Sequence, residues 1–208
     1  MTVVYRVGKG LYVNLTNRCP CACTFCIRQN GAGVYGSDSL WLEREPTVSE
    51  AVAAIEAADR TSCEELVFCG YGEPTERLND LLAVARQVRA DFPQLPIRVN
   101  TNGLSDLIAG RPTAGLFAGL VDALSVSLNA PTAEEYVRLC RPKFGAVAYE
   151  ALLRFAAEAK AYVPSVVMSV VGTADMTPDK IAACRAVCDR IGVPLRVRAY
   201  SAVGNGRN

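Results

Sequence analysis

Short apolar runs alternate with segments of helical periodicity along almost the whole chain. Most of these runs are rich in Val, Leu or Ile and end near Gly, Asn or Pro, as is typical of buried parallel strands. The pattern therefore predicts six strands, at Leu11 to Thr16, Glu65 to Cys69, Ile97 to Asn100, Ala123 to Leu128, Ser165 to Val171 and Leu195 to Tyr200.

Helices are predicted between these strands. Thr47 with Glu50, and Thr132 with Glu135, have the spacing of a capping box, in which each side chain satisfies a backbone donor. Two apolar stripes at helical spacing follow, one made of Leu78, Leu81, Leu82, Ala85 and Val88 and the other of Ile181, Cys184, Cys188 and Ile191. Core packing is the preferred interpretation of Cys184 and Cys188, because free cysteine is among the most buried residue types.

Repeated strand–helix units indicate an α/β fold with a parallel sheet and functional residues at the carboxyl ends of the strands. Six units are two short of a closed eight-fold barrel. We therefore predict a partial (β/α)6 TIM-like barrel, open on one side, formed by a single domain over residues 1–208. A doubly wound, flavodoxin-like sheet is the alternative that periodicity alone does not separate from it.

Composition narrows the possible functions. The chain carries 22 Lys and Arg against 21 Asp and Glu, so the net charge of +1 gives no basic surplus for nucleic acid or anionic membranes. It has no His, which excludes histidine triads, two-histidine zinc sites and histidine-ligated haem. We see no secretory signal or membrane span, so we expect a reducing cytoplasm, where clustered cysteines indicate metal or redox chemistry.

Four of the nine cysteines fall within residues 19–26, directly after the first predicted strand. Cys19, Cys23 and Cys26 have the spacing C-x3-C-x2-C, which can aim three thiolates at three corners of a [4Fe–4S] cluster and leave one iron without a protein ligand. A zinc knuckle is the alternative. Because the chain has no His, the fourth zinc ligand would have to be Cys21 or a distant cysteine.

This loop, with an aromatic residue before its last cysteine, resembles the radical S-adenosylmethionine (SAM) superfamily. Residues 17–47 are more specifically similar to the TatD-associated radical SAM proteins. The resemblance implies an oxygen-sensitive enzyme with a [4Fe–4S] cluster whose open iron binds SAM. Reductive cleavage then yields methionine and a 5′-deoxyadenosyl radical, which abstracts hydrogen from an unidentified substrate.

The resemblance also implies partners and competing activities. Reduced flavodoxin or ferredoxin would supply the electron, and a TatD-type hydrolase is expected as a pathway companion. Within the superfamily, a glycyl-radical activase and a deazaguanine-forming nucleotide enzyme are the competing activities. Outside it, a zinc-binding module and an iron–sulfur electron carrier are the rivals, but neither requires polar motifs at successive strand ends.

Those motifs supply the expected SAM contacts. By resemblance, the segment with Gly70, Gly72 and Glu73 meets the methionyl ammonium, although a plain strand-to-helix turn is the alternative. Asn100 and Asn102 resemble a ribose-contacting segment, which usually carries Asp or Glu at the first position, and an Asn-Gly turn is equally compatible. Ser127 and Asn129 share a strand face and are predicted to point into the site.

Two further predictions rest on position. Arg141 is expected to pair with the SAM carboxylate, as a downstream basic residue does in relatives, and a surface arginine is the alternative. Cys21, Cys69 and Cys140 lie near predicted strand ends or the cluster loop, which makes each a candidate donor of a hydrogen atom to a substrate radical.

Overall fold

A computed structural model describes residues 1–30 and 37–199, and within them seven strands form one sheet whose spatial order follows the chain. The strands are β1 Val4–Val7, β2 Gly10–Val13, β3 Glu65–Phe68, β4 Ile97–Thr101, β5 Ala123–Ser127, β6 Ser165–Gly172 and β7 Leu195–Ala199. The helices are α1 Val48–Ala57, α2 Leu78–Asp91, α3 Ser105–Ala109, α4 Ala133–Cys140, α5 Val147–Ala159 and α6 Pro178–Ile191. Three short 3-10 helices cover Ile27–Asn30, Pro74–Arg77 and Ala114–Phe117.

The strand order identifies the architecture as a curled half-barrel. Strands β2 to β7 are parallel and each pairs with the next in sequence. A doubly wound sheet would reverse its strand order at a switch point, and this sheet does not. The predicted α/β partial barrel is therefore confirmed, and the carboxyl ends of six parallel strands meet at one edge of the sheet.

The first strand differs from its prediction. Sequence reasoning missed β1, which pairs antiparallel with β2 through the turn at Gly8, where φ is +56°. It also extended the next strand to Thr16, whereas β2 ends at Val13. The chain leaves the sheet at Asn14, whose side-chain amide donates to the Leu40 carbonyl at 2.7 Å. The other predicted strands agree within one or two residues, and Tyr200 lies outside the described residues.

Helix starts follow the predicted capping chemistry only in part. Thr47 and Glu50 form a complete capping box at α1. At α4 the Thr132 hydroxyl accepts from the Glu135 amide, but the Glu135 carboxylate instead bonds Lys180 and Arg138. Lys180 of α6 thus pairs with the Glu135 carboxylate, which the spacing predicts to cap α4.

The predicted apolar stripes pack into the hydrophobic core, except that Ile181 and Ile191 of α6 are only partly buried. The α2 stripe is buried, and Cys184 and Cys188 of α6 are fully buried in the same hydrophobic core. Core packing is therefore confirmed for these two cysteines. Among the described residues no helix is long and apolar enough to span a bilayer.

Candidate functional site

The cysteine loop is fixed against the end of α4. The amide of Ala22 donates to the Cys140 carbonyl at 3.0 Å, and the amide of Thr24 donates to the Leu139 carbonyl at 2.9 Å. Cys21 also forms an isolated antiparallel bridge with Pro142. The loop therefore continues as a short ribbon against α4, and its thiols lie at the carboxyl end of the half-barrel.

Six thiols line one cavity of about 310 Å³, a size within the range of small-molecule sites. Cys19, Cys23 and Cys26, the predicted cluster ligands, are partly exposed, while Cys21 and Cys140 beside them are buried. The sixth thiol is that of the partly exposed Cys69, which directly follows β3. In residues 1–30 and 37–199, no three Cys, Asp or Glu side chains are grouped closely enough to hold a single metal ion.

Neighbouring thiols lower the pKa of two of the predicted ligands, Cys19 and Cys23. The Cys140 thiol, with Cys21, hydrogen-bonds Cys23 and lowers the pKa of Cys23 to about 4. The Cys21 thiol likewise lowers the pKa of Cys19. These contacts and burial raise the pKa of Cys21 and of Cys140. Iron–sulfur clusters are held by thiolates, so the lowered pKa of Cys19 and of Cys23 favours these two thiols as ligands over Cys21 and Cys140, whose pKa is raised.

The glycines after β3 allow the cysteine loop to approach closely. A Cβ on Gly72 would lie 2.2 Å from the Thr16 carbonyl oxygen and 2.6 Å from that of Arg18. A Cβ on Gly70 would lie 2.1 Å from Asn14 Oδ1. Gly70 lines the cavity, but Gly72 does not. Gly72 therefore packs the loop against the β3 turn, and the structure does not bring it to the cavity.

Glu73 ties the ends of two strands together. Its Oε1 accepts from the Thr75 amide at 3.1 Å, the Thr75 hydroxyl at 2.8 Å and the Thr101 hydroxyl at 2.7 Å. Its Oε2 accepts from the Asn102 amide at 2.7 Å. Burial raises the pKa of Glu73, and these four donors oppose that rise. The carboxylate lines the cavity and joins the β3 turn to the β4 turn, while its contact with an ammonium group stays a prediction.

Asn100 and Asn102 both line the cavity, and both already have protein partners. Asn100 Oδ1 accepts from Arg98 Nη1 at 2.8 Å. Asn102 Oδ1 accepts from the Leu104 amide at 2.9 Å, and Gly103 follows with φ of +77°. The turn anticipated from the sequence is therefore present and places the Asn102 amide at the cavity, while Asn100 reaches it from β4.

Ser127 and Asn129 extend this wall from the end of β5. Asn129 is buried in the left-handed region with φ of 61°, and its Nδ2 donates to the Cys140 sulfur at 3.7 Å. Its Oδ1 is buried without a hydrogen-bond partner in the described part of the chain. Because a buried acceptor without a donor is costly, this atom suits a ligand hydroxyl or ammonium.

Arg141 lies apart from the other predicted contacts. It ends α4 in the left-handed conformation with φ of 45°, is exposed, and does not line the cavity. The structure thus gathers six of the eight predicted SAM-contacting residues and leaves out Gly72 and Arg141. The six are Gly70, Glu73, Asn100, Asn102, Ser127 and Asn129.

Two side chains are notable among the cavity residues that sequence reasoning missed, Tyr136 and Arg198. Tyr136 of α4 is buried against the cysteine loop, and burial together with Cys21 raises the pKa of its hydroxyl. Arg198 of β7 lines the opposite side. The alternating Arg196-Val197-Arg198 pattern on the last predicted strand was the available signal for Arg198, whereas Tyr136 sits in an ordinary amphipathic helix.

A half-barrel with a three-thiol loop after its first parallel strand defines a class of cluster-binding proteins. The family model of the Radical SAM superfamily matches residues 13–187, so the chain belongs to the radical SAM superfamily. This family uses a [4Fe–4S] cluster and SAM, and the donor chemistry described above fits both groups.

Individual relatives add detail. The GTP 3′,8-cyclase of Corynebacterium glutamicum (strain R) is 33% identical over 148 residues, which cover 65% of this chain and 35% of that enzyme. The chain thus spans about a third of the length of this curated relative.

Solved structures share the fold at low identity. Streptococcus suis SuiB bound to precursor peptide SuiA superposes with a TM-score of 0.68 at 14% identity, covering 93% of this chain and 39% of SuiB. A radical SAM methyltransferase from Sphaerobacter thermophilus gives a TM-score of 0.59 at 19% identity, covering 94% of this chain and 68% of that one.

Proposed function

We propose that this chain cleaves SAM reductively and uses the resulting 5′-deoxyadenosyl radical to abstract hydrogen from a substrate that is not yet identified. The observation that carries the proposal is the joint placement of the C-x3-C-x2-C thiols and the polar strand ends around one cavity. A zinc module or a simple electron carrier would not need the polar strand ends beside the thiols.

Cys19, Cys23 and Cys26 would hold the cluster through their thiolates. When bound, the cluster supplies the electron that cleaves the sulfonium of SAM. The Cys21 and Cys140 thiols next to Cys23 lower the pKa of Cys23, which favours the thiolate form that a cluster binds. The ribbon between the loop and α4 fixes these thiols in place.

The chain's polar strand ends would bind and orient SAM. Asn129 Oδ1 has no donor among residues 1–30 and 37–199, so it can accept from a hydroxyl or ammonium group of the ligand. The Asn100 and Asn102 amides and the Ser127 hydroxyl line the same cavity. Val171, at the end of β6, adds an apolar contact for an adenine ring.

The test is anaerobic reconstitution with iron and sulfide, then dithionite and SAM, with chromatography for 5′-deoxyadenosine. We expect nucleoside from the wild type and from Cys63→Ala, whose thiol lies away from the cavity, but none from Cys19→Ala. A reconstituted wild type with no nucleoside, with or without candidate substrates, contradicts the proposal. Zinc in place of a cluster under every condition would contradict it as well.

Partners and location belong to the proposal too. The electron donor is a reduced flavodoxin or ferredoxin, and a TatD-type hydrolase acts in the same pathway. The cell compartment is a reducing cytoplasm, since the exposed cluster loop makes the enzyme oxygen-sensitive. These statements rest on the sequence resemblance and on the free thiols of the site. Replacing dithionite with flavodoxin and its reductase in the nucleoside assay tests the first of them.

A nucleotide substrate is the second candidate. Its support is the 33% identity with a GTP 3′,8-cyclase over 148 residues. Adding GTP to the reconstituted enzyme tests it, because turnover would consume GTP in step with 5′-deoxyadenosine. Nucleoside formation with GTP unchanged would exclude GTP as the substrate.

A further inference from the structure

The inner face of the half-barrel carries three arginines, Arg98 on β4 and Arg196 and Arg198 on β7. Arg196 Nη2 reaches across β6 to donate to Ser125 Oγ on β5 at 2.9 Å. Arg198 lies one pleat further along the same strand face and lines the cavity. The two β7 guanidinium groups therefore face the interior of the half-barrel at the side away from the cysteine loop.

Only part of this positive charge is neutralised. Arg98 forms a two-pronged ion pair with Glu65, with Nε to Oε2 at 2.9 Å and Nη2 to Oε1 at 2.6 Å. In residues 1–30 and 37–199, neither Arg196 nor Arg198 is within ion-pair distance of a carboxylate. Among the residues that the structure describes, the cavity wall has one acidic side chain, Glu73, whose oxygens are already bonded to four donors.

Arg198 also has an unused donor. Its Nε is buried and has no hydrogen-bond partner within the described residues. Burial and the charges of Arg98 and Arg198 lower the pKa of Arg196. A folded protein keeps such a donor unpaired at a cost, and an incoming anion would remove that cost.

We propose that Arg196 and Arg198 bind an oxyanion of the substrate, a carboxylate or a phosphate. A guanidinium presents a planar fork of donors that matches either group with two parallel hydrogen bonds. The site lies on β7, the last strand of the sheet, whereas the cysteine loop follows β2. An anion held at β7 would fix one end of the substrate and leave its remainder over the cavity. This inference rests on the proposed function, because it assigns the anion to the substrate of that reaction.

The test is calorimetric titration of the reconstituted, SAM-loaded protein with inorganic phosphate and, separately, with succinate. Arg198→Met and Arg196→Met are compared with Arg154→Met, which removes an exposed arginine on α5 by the same substitution. We expect the dissociation constant of the bound anion to rise at least about tenfold in the β7 variants and to be unchanged in Arg154→Met. Arg198→Lys keeps the positive charge but loses the planar fork of donors, so its dissociation constant for the anion should lie between those of the wild type and Arg198→Met.

The outcomes separate the alternatives. Phosphate binding that follows the β7 variants supports a phosphorylated substrate, and succinate binding with the same pattern supports a carboxylate. The proposal is overturned if neither anion binds, or if Arg154→Met weakens binding equally. It is also overturned if the β7 variants weaken SAM binding while anion binding stays unchanged, because the arginines then serve the cofactor.

Folding and the proposed function are checked independently. Circular dichroism and iron content show whether Arg198→Met folds and loads its cluster, and Arg198→Lys carries the test if it does not. Anion titration does not require turnover, so its result stands apart from 5′-deoxyadenosine formation. A wild type that forms no 5′-deoxyadenosine would refute the proposed function. Equal anion dissociation constants in the β7 variants and the wild type would refute only this inference.

Discussion

At the scale of single residues, the sequence singles out Gly72, but the structure gives this glycine a different role from the predicted one. The motif was interpreted as a ligand-contacting turn, but Gly72 lies against the backbone of the cysteine loop. A carbonyl oxygen at 2.2 Å from a new Cβ cannot rotate away as a side chain would. The glycine is thus required by the packing of the loop that carries the thiols.

We therefore predict that Gly72→Ala lowers the free energy of unfolding by about 1–3 kcal/mol, the usual cost of overpacking. It should also reduce the iron content after reconstitution, since the clash displaces the cysteine loop. Gly115→Ala is the matched control, because its Cβ would meet Tyr162 at an ordinary 3.6 Å. Urea unfolding and iron analysis check both variants. Equal stability of the two would contradict this role of Gly72.

The sequence could predict the cluster ligands because their spacing is local. Cys19, Cys23 and Cys26 lie on one tight loop, so a single stretch of residues determines their geometry. The contact of Cys140 with Cys23 depends instead on where the end of α4 packs, 117 residues further along the chain. Arg198 was missed for the same reason, since only the curling of the sheet brings β7 to the cavity.

At the scale of elements, Glu73 links the β3 turn to β4. Four donors from the two turns converge on a carboxylate that is 4% exposed. Glu73→Gln replaces one acceptor oxygen with an amide donor, which faces other donors. We predict a loss of about 1–3 kcal/mol in the free energy of unfolding, because buried donors are left without an acceptor.

Urea unfolding measures this loss, and Glu43→Gln is the control because Glu43 is exposed. Glu73→Gln should also weaken SAM binding, since Asn102 lines the cavity and its backbone amide donates to the Glu73 carboxylate. A Glu73→Gln protein as stable as Glu43→Gln would show that the carboxylate does not join the two turns.

The two cysteines of α6 provide a second test at this scale. Burial raises the pKa of Cys184 to about 12 and that of Cys188 to about 11. At pH 8 the thiolate of Cys188 is then roughly one thousandth of the total. We predict that iodoacetamide modifies Cys184 and Cys188 only after unfolding, while the partly exposed Cys63 reacts in the native protein.

The same shifts set the sign of a pH effect. The unfolded chain ionises these thiols near pH 9 and the folded chain only nearer 11 to 12, so stability should fall as the pH rises above about 9. Mass spectrometry of alkylated peptides and urea unfolding at pH 8 and pH 10 check the two statements. Native alkylation of Cys188 at the rate of Cys63 would contradict the packing described here.

At the scale of the whole molecule, the alternation of strands and helices was enough to predict an α/β sheet with six parallel strands. It did not separate a half-barrel from a doubly wound sheet, because both use the same local units. Strand order is decided by how the units pack, and here each strand pairs with the next. The β1 hairpin was missed because β1 has only four residues, which are too few to show a clear alternation of apolar and polar positions.

The capping of α4 was predicted only in part for a comparable reason. The spacing of Thr132 and Glu135 is local, but the Lys180 that captures the Glu135 carboxylate comes from α6. The partner of a polar side chain could therefore be predicted where that partner lies nearby in the sequence. The prediction was wrong where a distant element supplied the partner, as Lys180 does for Glu135.

The central claim is that three thiols of one loop hold a [4Fe–4S] cluster with an iron open to SAM. The most direct measurement is iron and sulfide content, with electron paramagnetic resonance of the reduced cluster before and after SAM, across alanine variants of Cys19, Cys21, Cys23 and Cys26. We predict about four irons per chain and a SAM-dependent change of the signal in the wild type and in Cys21→Ala. The cluster should be lost in each of the other three variants. Loss of the cluster in Cys21→Ala with retention in any of the others, or a wild-type signal that SAM does not change, would contradict the account.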